Sequence, residues 1–165
     1  KQIFDIAKQE GTKFFSSSAL RYASELDDLR NCNGVITYGG GSNLDEYVIH
    51  QAEMVVKTIN AQAKKVRVEK QGKNQYVCSV IFENDKRATM LFDPSYGFGI
   101  CAEKENGASV SRAVNSDFFK FLIADILAFF VSGKTSFDTN QTLEVIKIRE
   151  GVVKGKTKLG EWIEL

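Results

Sequence analysis

The sequence is poorest in the residues on which much protein chemistry relies. Its 165 residues include a single His, one Pro, one Trp and three Cys. One His excludes a multi-histidine metal site within this chain, and any imidazole-dependent step must run through His50. Cys32, Cys78 and Cys101 are an odd set with no CxxC pair, which points to a reducing cytosol rather than a disulfide framework. An excess of either charge is also missing, since 22 Lys+Arg face 21 Asp+Glu. Nucleic acid and anionic membranes both select basic surfaces, so neither is expected as the main partner. The most apolar run, Phe118 to Val131, carries Lys120 and Asp125 and falls short of the roughly 20 apolar residues a membrane span needs. The polar, charged start does not read as a targeting segment.

What is present is ordinary for a globular protein: 43% hydrophobic and 26% charged residues, enough to exclude global disorder. Residues 1–10 (KQIFDIAKQE) read as a helix stopped by Gly11, with no initiator Met and no cap before it. The expectation is a chain cut from a longer protein. Lys13 to Ser18 reads as a short buried strand, so that helix and strand together look like the last step of a parallel sheet. A short helix is expected over Ala23 to Arg30 and an edge strand over Val35 to Tyr38. Leu44 to Asn60 is the clearest helix, because Leu44, Val48, Ala52, Val55 and Ile59 share one face.

Strands follow at Lys64 to Lys70, Gln75 to Glu83, Arg87 to Phe92, Phe98 to Lys104 and Ala108 to Ala113. The first three are joined by connections too short for parallel crossovers, which makes them antiparallel hairpins. Helices are expected at Ser116 to Ser132 and Thr139 to Lys154, the second with a capping-box-like Asp138 and Gln141, and a last strand at Glu161 to Leu165. The fold class is α+β: a mostly antiparallel open sheet with helices on one face. The helix rich in Phe118, Phe119, Phe121, Phe129 and Phe130 is apolar almost all round, so it should be covered by its own sheet and by a partner.

His50 lies off the apolar stripe of its helix. Glu46, His50, Glu53 and Lys57 form one polar ribbon by spacing. Two carboxylates beside one imidazole favour the protonated ring and orient it for proton transfer; the same spacing also describes a solvated helix face with ordinary ion pairs. A metal at Glu46, His50 and Glu53 would lack a second His. Three motifs fail on context. Gly97-Phe98-Gly99-Ile100-Cys101-Ala102 matches a dinucleotide fingerprint but does not open a helix. Gly133-Lys134-Thr135 follows a helix and reads as its stop. Gly39-Gly40-Gly41 reads as a flexible turn. Ser16, Ser17 and Ser18 lie in no esterase-type elbow.

Three stretches in order, FFSSSALRYASEL, YGGGSNLDEYVIHQAE and FFKFLIADILAFFVSGKTSFDTNQTLEVIKIREGVVKG, resemble the C-terminal portion of the Gfo/Idh/MocA oxidoreductases (glucose–fructose oxidoreductase and inositol dehydrogenase relatives). The resemblance implies that residues 1–22 are the tail of an N-terminal dinucleotide-binding domain and 23–165 a substrate-binding and oligomerisation domain. It further implies NAD or NADP in the full-length parent, with none held tightly by this fragment, and a sugar or polyol substrate. His50 would be the catalytic proton-transfer residue, and Arg21, Tyr22, Glu46 and Tyr47 substrate-binding. It also implies a cytoplasmic homodimer or homotetramer built through the sheet. Glu46 and Glu53 stand where the family commonly has Asp, and Val48 where it has Gly. The alternative is a non-catalytic self-association or regulatory module. A hydrolase using His50 with a Ser or Cys ranks below both.

Overall fold

Alternating apolar side chains set the sheet. In the computed structural model, which describes residues 2–165, the strands are β1 (Gly34–Gly39), β2 (Ala63–Lys70), β3 (Tyr76–Phe82), β4 (Arg87–Phe92), β5 (Gly99–Glu103), β6 (Ser109–Ala113) and β7 (Trp162–Glu164). They form one seven-stranded sheet in the order β6-β5-β1-β4-β3-β2-β7. β1 and β4 run parallel, and the other neighbouring pairs are antiparallel. The expected α+β architecture is therefore observed. β1 is not an edge strand, however, because it lies between β4 and β5. A helix and the β2–β3 hairpin carry the chain over the sheet before β4 enters beside β1, a crossover no tight turn can make.

The helices are α1 (Gln2–Gln9), α2 (Leu44–Ile59), α3 (Phe118–Ser132) and α4 (Thr139–Lys156). α2 starts where the Asn43 side chain accepts the Glu46 N–H at 3.0 Å and stops at Asn60, whose φ of 52° is left-handed. Its apolar stripe packs on β1 and β4, while α4 packs on β2 and on α2. In α4 a Cβ at Gly151 or Gly155 would stand 2.7 Å from Val66 or 2.8 Å from Val68, so both glycines let the helix settle onto β2. Val35, Val66, Val68, Val80, Phe82, Met90, Val48, Val55, Ile59, Ile148 and Val152 meet in the core between these layers. Ile36, on the opposite face of β1, is 45% exposed.

Four local expectations need correction. Lys13 to Ser18 is extended but belongs to no strand; side chains take its polar groups instead, Thr142 donating to the Ser16 carbonyl at 2.9 Å and the Ser18 N–H donating to Glu53 at 2.8 Å. Ala23 to Arg30 is not a helix; single 3₁₀ turns at Ala19–Tyr22 and Ser24–Leu26 fold Leu20, Leu26 and Leu29 into the core. Asp138 caps α4 through the Asn140 N–H at 2.9 Å, but the Gln141 side chain accepts from Arg21 instead of closing a capping box. α3 does not lie on the sheet. It packs on the Ala19–Tyr22 turn, and none of its residues is buried. The expected start of the first helix at Lys1 lies outside the described residues.

Candidate active site

The glycine run after β1 has a steric purpose that the sequence did not reveal. A Cβ on Gly39 would fall 2.2 Å from the Phe98 ring, and one on Gly41, whose φ is 152°, would fall 2.1 Å from the Tyr47 ring. Both aromatic rings occupy the space that the absent side chains leave. Each then meets His50 edge-on, with centroids 5.6 Å away for Tyr47 and 5.7 Å for Phe98. Beneath them Gln51 is fully buried and ties the helix to the strand ends. Its Oε1 accepts from the Thr37 hydroxyl at 2.8 Å, and its amide donates to the carbonyls of Gly39 at 3.2 Å and Leu91 at 3.1 Å. A buried amide satisfied on every side fixes the height of α2 over the sheet, and with it the position of His50.

Beyond Glu46, the polar ribbon on α2 is not solvated. Glu53 is 1% exposed and Arg21 is 4% exposed. The Glu53 carboxylate accepts from Arg21 Nε at 2.6 Å, from the Ser18 N–H at 2.8 Å and from the Ser17 hydroxyl at 3.3 Å. Burial pushes the Glu53 carboxyl toward a higher pKa, and the Arg21 charge is the main effect pulling it back. Arg21 also donates through Nη1 to Gln141 Oε1 at 2.5 Å, and its guanidinium carbon lies 4.6 Å from the centre of the Phe137 ring. Nη2, buried without a hydrogen-bond partner among the described residues, belongs to that stacked group. Lys57 continues the ribbon, donating to the Arg21 carbonyl at 2.9 Å and to Asp27 at 2.8 Å.

His50 accordingly does not sit between two carboxylates. Its Nδ1 is 2.5 Å from Ser18 Oγ, Glu53 is committed to Arg21, and Glu46 is exposed in the first turn of α2. With no charge beside it, burial lowers the His50 pKa below the ordinary histidine value. The expectation of a protonated ring is overturned for that reason. The same divergence keeps Glu46, His50 and Glu53 from converging as metal ligands. Val48, where the resemblance expects Gly, is completely buried in the core.

The five residues singled out from sequence thus separate. His50 and Tyr47 are in contact, and Arg21 lies one helical turn along the ribbon, joined through Glu53 and the Ser18 backbone. Tyr22 points elsewhere: its hydroxyl donates to Asp125 on α3 at 2.7 Å, and burial, reinforced by that carboxylate, raises its pKa. It lines a cavity of about 500 Å³ with Arg21, Lys57, Phe121, Phe137 and Gln141, which His50 does not reach. The Glu46 side chain makes no hydrogen bond or ion pair with any of the others. Sequence reasoning missed Ser18 and Phe98. The fingerprint-like Gly97–Ala102 leads into β5, and Gly133 closes α3 with a left-handed φ of 67°.

No family model matches the sequence, and no curated protein matches it. Solved structures do. The myo-inositol dehydrogenase of Lactobacillus casei, in complex with NAD(H) and myo-inositol, superposes with a TM-score of 0.76 at 8% identity, over 99% of this chain and 66% of that one. UDP-N-acetylglucosamine 3-dehydrogenase from Acidithiobacillus ferrooxidans gives 0.73 at 10% identity, over 93% and 65%. Aldose-aldose oxidoreductase from Caulobacter crescentus, complexed with glycerol, gives 0.68 at 12% identity, over 98% and 67%. The chain spans about two thirds of each, and it shares their fold.

Proposed function

We propose that this chain is the C-terminal, substrate-binding and oligomerisation part of a Gfo/Idh/MocA-family oxidoreductase that acts on a sugar, polyol or related hydroxy compound with NAD or NADP. The observation that carries the reading is the setting of His50. It is a half-buried imidazole, held through Nδ1 and walled by two aromatic rings, on the first sheet-covering helix of a fold shared with dehydrogenases. Such a ring moves a proton at the substrate oxygen, while Tyr47 and Phe98 offer apolar faces to a sugar ring and shield the site from water.

The fingerprint-like glycine motif does not form a dinucleotide cradle. The glycine motif at Gly97 opens a strand, where pyrophosphate binding requires a helix N-terminus. Cofactor binding is therefore assigned to the full-length parent. Residues 1–22 are read as the tail of its dinucleotide-binding domain and 23–165 as the domain proper. The unpaired extended stretch before the Ala19–Tyr22 turn supports that division. The open sheet face, with Ile36 45% and Trp162 38% exposed, is the proposed surface of a cytoplasmic homodimer or homotetramer. No helix among the described residues is long and apolar enough to cross a membrane.

In the complete parent, His50→Ala should leave dinucleotide binding intact and abolish turnover. Unchanged turnover would remove His50 from the mechanism. A second reading, a non-catalytic self-association or regulatory module, is favoured by α3, which exposes Phe119, Phe121, Ile123, Leu127, Phe130 and Val131. A parent that assembles through α3 yet binds no dinucleotide would establish that reading in place of the first.

A further inference from the structure

We infer that Ser18 is a catalytic proton relay between the substrate hydroxyl and His50, an inference that rests on the oxidoreductase reading above. Ser18 Oγ lies 2.5 Å from His50 Nδ1 and has no other hydrogen-bond partner among the described residues. A hydroxyl carries one proton and two lone pairs. Nδ1 is the one protein acceptor that hydroxyl has among the described residues, so in the proposed relay the O–H donates to it and the neutral ring carries its own proton on Nε2. The basic nitrogen of His50 therefore faces Ser18. A proton leaving the substrate reaches that nitrogen most directly through Oγ, whose lone pairs remain unengaged by the protein.

The position of Ser18 is built, not incidental. Its N–H donates to Glu53 Oε1 at 2.8 Å, the neighbouring Ser17 hydroxyl donates to the same oxygen at 3.3 Å, and Arg21 Nε holds the other carboxylate oxygen at 2.6 Å. Thr142 fixes the Ser16 carbonyl at 2.9 Å. The buried Arg21–Glu53 pair thus acts as a positioning device for the relay, and no carboxylate among the described residues is hydrogen-bonded or ion-paired to the ring. In the oxidative direction the substrate O–H breaks as a new Ser18 O–H forms. The original Ser18 proton passes to Nδ1, giving an imidazolium, while the nicotinamide of the complete parent would supply the acceptor for the carbon-bound hydrogen as hydride. Reduction reverses each transfer.

Because His50 is the only histidine in the chain, nitrogen-15 NMR of its imidazole reads the arrangement without interference. At a pH where the ring is neutral, Nε2 should carry the proton and Nδ1 should show the shift of a hydrogen-bonded acceptor. Ser18→Ala should move Nδ1 toward the free value. A protonated Nδ1 in the neutral ring, or a spectrum indifferent to Ser18→Ala, would overturn the relay. In the complete parent, Ser18→Ala should lower kcat on the order of 100-fold with dinucleotide affinity unchanged, and Ser18→Thr, which keeps the hydroxyl, should restore most of it. Full activity in Ser18→Ala beside an inactive His50→Ala defeats the relay alone; full activity in His50→Ala defeats the oxidoreductase role of His50 while leaving the NMR result standing.

Discussion

Helices α2 and α3 are almost equal in length, 16 and 15 residues, and opposite in fate. α2 buries ten of its residues, and α3, much the more apolar of the two, buries none. Apolar content alone does not decide burial. α2 is laid over β1 and β4 by the crossover that also builds the sheet, so even its Gln51, Glu53 and Thr58 are sealed in. α3 leaves the sheet after β6 and rests mainly on the Ala19–Tyr22 turn, with Tyr22 bonded to Asp125 and Phe129 against the Phe15 ring. The less apolar helix thereby holds the candidate chemistry, and the more apolar one presents a surface. Large apolar patches of that kind mark interaction sites.

The comparison is most severely tested through the buried charges of α2. Glu53→Ala leaves Arg21 unpaired in the core and should cost about 3–5 kcal/mol in urea unfolding. Replacing both partners, Arg21→Met with Glu53→Leu, should recover much of that loss. Next comes a matched pair of truncations. Ile59→Ala on α2, fully buried, should cost about 2–5 kcal/mol. Leu127→Ala on α3, 59% exposed, should stay within about 0.5 kcal/mol. Equal costs would break the contrast and show that α3 is covered in solution.

The smallest effect is a pH dependence confined to α2. Burial places the folded His50 pKa below the ordinary 6.5. The unfolded chain therefore binds a proton more readily than the folded one, and stability falls as pH drops from about 6.5 toward the folded value. Melting curves of the parent chain and of His50→Gln should diverge only in that window, with the histidine-free variant losing less on acidification.

Most of the fold was legible because burial imposes a period. Leu44, Val48, Ala52, Val55 and Ile59 share a face in the sequence and all five are buried in the structure. The antiparallel strands were legible in the same way. The place of β1 was not, since strand order depends on where a crossover lands. The Ser-rich stretch has the look of a strand, but whether it finds a sheet edge or side-chain acceptors is decided by Glu53 and Thr142, far along the chain. The site was half legible. His50 stood out by being alone, but the spacing placed Glu53 either beside the imidazole or on a solvated face, because its partner Arg21 lies 32 positions away. Likewise the three glycines showed only their freedom to turn; that they make room for Phe98 and Tyr47 is a property of packing.

The extended stretch that carries Ser18 has one further consequence. It reaches His50 across 32 positions, without a ladder of its own, held by a few side-chain contacts. The core between sheet and helices closes without it. Core and site therefore have separate stabilities: opening a handful of residues before Ala19 would free the imidazole from its anchor while the sheet stayed intact. Circular dichroism and melting temperature would report a native molecule in that state. Readiness of His50 is a local equilibrium, to be read at the ring itself.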